Sequence, residues 1–242
     1  LDFYKSNLKS SSDEYLTALK TIPLGAHSTF QSFDPYPISI KSAKGAWMVD
    51  VDGRKMLDLS MGFGSMLVGH LNPEVMAELK STLDIGTLYT APSPDSRDAA
   101  ERLCRRFGID QIRFTNSGTE STMYAVRTAR AYTGKEGVVK VEGGYHGSGD
   151  ALMVSTKPSL DKAGPEDAPN SVIGNASVPG LSYVVPYNNA EALERVFEKH
   201  SATIACFIVE PVLENIGIVL PDEGYLEKVR ELCDEYKIVL IF

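Results

Sequence analysis

Cysteine is scarce in this chain. Cys104, Cys206 and Cys233 are far apart in 242 residues. They make neither a disulfide framework nor a metal-ligand cluster. No uninterrupted apolar run approaches the ~20 residues that a bilayer-spanning helix needs, so no membrane partner is expected. Basic residues are in deficit, 24 against 32 acidic, for a net charge of −8. That balance leaves no basic footprint for nucleic acid. There is no internal repeat, no Gly-x-Gly-x-x-Gly fingerprint and no Gly-Lys-Ser/Thr phosphate loop. Gly62-Phe-Gly-Ser-Met66 lacks the spacing of a nucleophile elbow. What remains is an ordinary globular composition, 43% hydrophobic and 23% charged. A reducing, cytoplasmic compartment is the expectation.

The two ends carry a further signal. Leu1 is not an initiator residue, and the chain stops at Lys237-Ile-Val-Leu-Ile-Phe242. That run reads as a buried parallel strand halted where a strand hands over to a loop. The expectation is the front part of a longer protein.

The chain changes texture along its length. Residues 1–20 read as a polar N-terminal helix or arm. Residues 21–45 hold Pro23, Gly25, Pro35, Pro37 and Gly45 without a sustained period, and read as irregular. Asp52-Gly53 between two short strand-like runs predicts a β-hairpin. Residues 1–60 are thus expected to form an arm and hairpin belonging to a small α+β domain. Residues 61–242 are expected to form a larger domain, incomplete at its end. From Pro73 onward helix and strand signals alternate. Helices are predicted near 73–83, 99–107, 118–131, 190–200 and 221–236, and strands at 111–115, 138–141, 183–185, 204–209 and 237–242. A long surface loop is predicted over 157–180. Such alternation implies an α/β fold, with a mostly parallel sheet and helices on both faces.

Three stretches could carry chemistry, each at the carboxyl end of a predicted strand. Arg113-Phe-Thr-Asn-Ser-Gly-Thr-Glu120 turns the chain into a helix at about Gly118. Free N–H groups in that first turn suit an anion. Ser117 and Thr119 add hydroxyls, and Gly118 permits close approach of a phosphate. An ordinary helix cap uses the same residues. Gly143-Gly-Tyr-His-Gly147 places an aromatic pair between glycines. Tyr145 could stack on a flat heterocycle, and His146 could orient it or shuttle a proton. A structural turn with an incidental histidine fits the same pattern, and no metal site is indicated. Glu210, in Val209-Glu-Pro-Val-Leu-Glu-Asn215, ends a hydrophobic strand, where a carboxylate is costly unless hydrogen-bonded. Together these features suit a planar, phosphorylated cofactor.

The same stretches resemble the class III aminotransferase group of fold-type I pyridoxal-phosphate enzymes. The nearest branches are the glutamate-1-semialdehyde aminomutases and the β-amino-acid transaminases. The resemblance rests also on Gly45-Ala-Trp-Met-Val-Asp-Val-Asp-Gly-Arg54, Gly69-His-Leu-Asn-Pro-Glu74 and Leu240-Ile-Phe242. It implies the large domain of an aspartate-aminotransferase-like fold and pyridoxal 5′-phosphate as cofactor. It also implies amine and carbonyl substrates, and a homodimer with shared active sites. By the resemblance, Ser117, Gly118 and Thr119 hold the phosphate, Tyr145 covers the ring and His146 sits beside it. Glu210 lies near the ring's polar edge, and Asn215 supports the adjoining loop. Glu210 and His146 are the candidate catalytic residues. The family's ring-pairing Asp and cofactor-bonding Lys would follow Phe242, and no lysine here matches the latter.

The resemblance thins at the substrate. Where the two branches carry an Arg, this chain has Gln31 or Thr29, and Phe63 replaces a Trp. Loss of a bidentate cation weakens carboxylate recognition. With Tyr89, these residues are the candidate substrate lining. The expectation is a transaminase for a different amine. An intramolecular aminomutase is the alternative. A cofactor-free interaction or regulatory module with a relic site is the alternative of another class.

Overall fold

The computed structural model describes residues 2–156, 158 and 182–242. The predicted loop over 157–180, Pro158 apart, lies outside the described residues. The chain divides into two compact units, Leu1–Arg97 and Asp98–Phe242.

The first unit opens with α1 (Asp2–Asn7) and α2 (Lys9–Ala18). The first turn of α2 is anchored by Asp52, whose carboxylate accepts from Ser10 N (2.8 Å) and Ser11 N (3.2 Å). An anion there complements the helix dipole. Strands β1 (Ile40–Lys44), β2 (Trp47–Asp50) and β3 (Lys55–Leu57) form an antiparallel sheet in that order. The predicted hairpin is β2–β3, turning through Gly53 at φ +85°. Strand β1 falls inside the stretch read as irregular. Ile40-Lys-Ser-Ala-Lys44 has no apolar alternation to announce it, and its pairing with β2 supplies the order. Helix α3 (Pro73–Leu83) starts as predicted, with Asn72 Oδ1 accepting from Glu74 N and Val75 N. Helix α4 (Pro94–Phe107) runs across the division into the second unit.

The second unit is a mixed α/β layer structure. Its elements are α5 (Gly118–Thr133), β4 (Gly137–Val141), β5 (Ser182–Val185), α6 (Ala190–His200), β6 (Ile204–Ile208), α7 (Tyr225–Glu235) and β7 (Val239–Ile241). The four strands are parallel, in the order β5-β4-β6-β7. Strand alternation sends Val139 and Val141 against Leu193 and Phe197 of α6 and Val229 and Leu232 of α7. It sends Val138 against Val126 and Ala129 of α5. Helices therefore cover both faces, as the α/β alternation predicts.

Three predicted elements differ, and one of them is α4, which starts at Pro94 rather than near Ala99. Residues 111–115 are not a paired strand; no strand lies beside them among the described residues. Helix α7 begins at Tyr225, four residues after Pro221, because Gly224 turns the chain at φ +80°. The topology itself marks a place for function. From β4 the chain goes to β5 on one side and returns to β6 on the other. The carboxyl ends of β4 and β6 flank that reversal, where ligands bind open α/β sheets.

Candidate active site

The first turn of α5 is an open anion cradle. Ser117 is extended (φ −156°) and caps the helix, its Oγ accepting from Glu120 N at 3.2 Å. Glu120 reaches back to Asn116 N (2.8 Å) and Nδ2 (3.0 Å), a variant of the capping box. Among the described residues, no acceptor meets the N–H of Gly118 or Thr119. Ser117 and Thr119 hydroxyls each accept one hydrogen bond and keep a hydrogen to donate. No atom lies within 4 Å of where a Gly118 Cβ would stand. Four donors in three residues, at the positive end of a 16-residue helix, fit a phosphate.

The loop after β4 is pinned almost group by group. Gly143 N donates to Ser155 O (2.8 Å), and Gly143 O accepts from Asn215 Nδ2 (2.9 Å). Gly144 O accepts from Lys140 Nζ (2.8 Å). Tyr145 N donates to Glu210 Oε1 (3.0 Å). His146 O accepts from Thr122 Oγ1 (2.7 Å), and Ser148 N donates to Thr119 Oγ1 (3.1 Å). Gly147 sits at φ +82°, and a Cβ there would stand 2.7 Å from Thr119 Cα. Only glycine lets this loop lie so close on α5. With its backbone held, the Tyr145 side chain remains exposed while Gly144, His146 and Gly147 are buried.

The structure thus brings together Ser117, Gly118, Thr119, Tyr145, His146, Glu210 and Asn215. Glu210 uses its carboxylate on backbone N–H groups, those of Tyr145 and Glu214 (3.1 Å). It orients the loop that carries the tyrosine. Asn215 spans Gly143 O and Thr156 O (2.8 Å).

Two buried basic groups set the electrostatics. Lys140 is fully buried in β4 and donates to Gly144 O and to Val154 O (2.6 Å). Burial pushes its ammonium down to about 8, against the opposing pull of Glu142 and Glu210. His146 is 8% exposed, and its Nε2 has no hydrogen-bond partner among the described residues. Burial, and then the Lys140 charge, pushes it down to about 4. His146 is therefore a neutral ring near pH 7. Sequence reasoning missed Lys140 and Thr122. The one signal for Lys140 was a charge inside the apolar run Gly137-Val-Val-Lys-Val141. Thr122 had none beyond a hydroxyl-rich first turn.

The candidate substrate-lining residues lie in the first unit. Thr29 and Gln31 bound a short 3₁₀ turn and are exposed. Phe30 between them meets Phe63 edge-on, ring centroids 6.0 Å apart. That contact joins the turn to Phe63, which is itself largely exposed. Tyr89 closes its own loop by donating to Ile85 O (2.9 Å) and Gly86 O (3.2 Å). Among the described residues there is no metal-ligand cluster and no helix long and apolar enough to cross a membrane.

Comparison with known proteins follows the same lines. The aminotransferase class-III family matches residues 30–242. The glutamate-1-semialdehyde 2,1-aminomutase of Methanocorpusculum labreanum is 40% identical over 233 residues, covering 96% of this chain and 56% of that protein. Further relatives at 36–40% identity carry the same name. A solved transaminase with PLP bound superposes with TM-score 0.88 at 33% identity, over 96% of this chain and 54% of its own. A glutamate-1-semialdehyde aminomutase from Pseudomonas aeruginosa PAO1 gives TM-score 0.84 at 26% identity, over 98% and 52%. The chain spans about half the length of the relatives it matches.

Proposed function

We infer the activity from one premise: this chain belongs to the aminotransferase class-III family. Its cofactor is pyridoxal 5′-phosphate. The single observation that supports a site for it here is the cradle at α5, with two unengaged amides and open space at Gly118. Gly118 and Thr119 N–H, with the Ser117 and Thr119 hydroxyls, would hold the phosphate. Tyr145 would lie on the ring, and the neutral His146 would flank it. Glu210 and Asn215 would keep the Tyr145 loop in register. When bound, the cofactor supplies an electron sink for the carbon that gains or loses the amino group. The chain's own residues would bind its phosphate and orient its ring.

The reaction proposed is an intramolecular amino shift of the glutamate-1-semialdehyde 2,1-aminomutase type. The aminomutase relatives at 36–40% identity support it, and they move the weight away from a general transaminase. Transfer between two substrates is the second reading. It is favoured by Thr29 and Gln31, neither of which offers a cation to a substrate carboxylate, and by the transaminase superposition. The test uses the full-length protein loaded with cofactor and given glutamate-1-semialdehyde alone. The expected result is an isomer with the amino group on carbon 1, formed without any added carbonyl acceptor. If amino transfer occurs only when a second carbonyl compound is supplied, the transaminase reading replaces this one.

A further inference from the structure

We propose that Lys140 is the positioning residue of the active-site loop. From its buried place in β4 it ties residues 143–148 to residues 154–156, and so sets where the Tyr145 ring stands. The inference rests on the cofactor reading above and adds to it a residue that the family resemblance did not assign.

Three observations carry it. First, Lys140 is fully buried in an otherwise apolar strand, where a charge is tolerated only with partners. By the two-residue alternation it shares a face with Val138, the face that α5 covers. Second, its two hydrogen bonds go to two different segments, Gly144 O at 2.8 Å and Val154 O at 2.6 Å. Third, the same two segments are joined by independent links. Asn215 spans Gly143 O and Thr156 O, and Gly143 N reaches Ser155 O. Lys140 works from beneath the sheet's end, and Asn215 works from the loop after β6. Between these clamps the chain has no room to slide, and Tyr145 follows directly.

Lys140 is not a candidate to react with a carbonyl compound. Its side chain has no exposed surface, and two of its three N–H donors are held by backbone carbonyls. Its role is geometric. Glu142 and Glu210 favour its charged form, and its charge disfavours that of His146.

The test compares full-length wild type with Lys140→Met, which keeps the stem and removes the donor. Amide hydrogen exchange is followed in both, and pyridoxal phosphate affinity is measured by absorbance titration. In the variant, the Tyr145 and Ser148 amides should exchange about tenfold faster or more, while those of β4 and β6 keep their protection. Cofactor affinity should fall about tenfold, with the thermal midpoint little changed. Unchanged loop exchange and affinity would overturn the proposal. So would equal loosening of loop and sheet, which marks a general structural role. Should the variant fail to fold, lysine-selective ¹⁵N labelling of wild type decides instead. One ammonium signal should be protected from solvent exchange and should move when cofactor binds. Absence of any protected lysine refutes the clamp. If wild type binds no pyridoxal phosphate, the functional reading fails by itself, and the exchange comparison still decides the role of Lys140.

Discussion

Gly118 and Gly147 test the same site from opposite sides. Gly118 has open space where a side chain would begin, whereas a Cβ on Gly147 would strike Thr119 at 2.6–2.7 Å from a left-handed backbone. Gly118→Ala should therefore leave stability within about 1 kcal/mol of wild type. It should still weaken pyridoxal phosphate binding at least about tenfold, because the new methyl occupies the phosphate's approach. Gly147→Ala should lose both properties, with about 1–3 kcal/mol of stability gone through backbone strain and the clash. Urea unfolding and cofactor titration separate the two variants. Normal binding by Gly118→Ala would show that the phosphate does not sit at this turn. His146 gives a pH signature. Its folded value is about 4, against an ordinary 6.5, through burial first and the Lys140 charge second. Between those values the unfolded chain binds more protons, so acid favours unfolding. The stability is whole above pH 6.5 and drains away as pH falls towards 4, by about 3 kcal/mol in all. His146→Gln should flatten that slope in urea curves taken at several pH values across the window. An identical slope would assign the acid loss to other groups.

The cap of α5 stabilises a whole helix through one hydroxyl. Ser117→Ala removes the acceptor for Glu120 N at the start of α5. Loss of an N-cap costs about 1 kcal/mol, and the phosphate loses one hydroxyl donor with it. The cap was readable because Ser-x-x-Glu precedes an apolar stripe, a local pattern with a local cause. Strands β4 and β6 were readable for a similar reason. They are buried on both faces, so their sequences are near-continuous apolar runs, broken in β4 only by Lys140. Strand β1 was not, because its order comes from pairing with β2, which no window of five residues records. Residues 111–115 misled for the converse reason. They have strand-like composition, but a strand needs a neighbour, and among the described residues none is beside them. Tyr145 and His146 were read from the glycines around them, Ser117, Gly118 and Thr119 from helix-start chemistry, Glu210 from its place at the end of an apolar strand, and Asn215 from the resemblance. Lys140 and Thr122 escaped because each acts on a backbone carbonyl 4 to 24 residues away. Side-chain-to-carbonyl bonds leave no pattern in composition.

At the scale of the molecule, the apolar surface of α3 calls for a partner. Val75, Leu79 and Leu83 recur every four residues, a stripe that normally faces a core. All three are exposed, and α3 has no buried residue. Leu67 and Leu88, on either side of it in sequence, are 91% and 90% exposed. Bare apolar surface of this extent suits cover by other protein surface, from the same subunit or from a second copy. We propose that the full-length protein is a homodimer and that a second copy covers this stripe. Leu79→Glu places a charge in its centre. Burying an unpaired carboxylate at an interface costs several kcal/mol, enough to shift a dimer to monomer at micromolar concentration. Sedimentation velocity should then show the wild type at twice the chain mass and the variant at one. The thermal midpoint distinguishes the remaining outcome. If Leu79→Glu keeps the dimer and instead lowers the midpoint, the stripe is covered within its own subunit. A wild type that sediments as a monomer overturns the dimer directly.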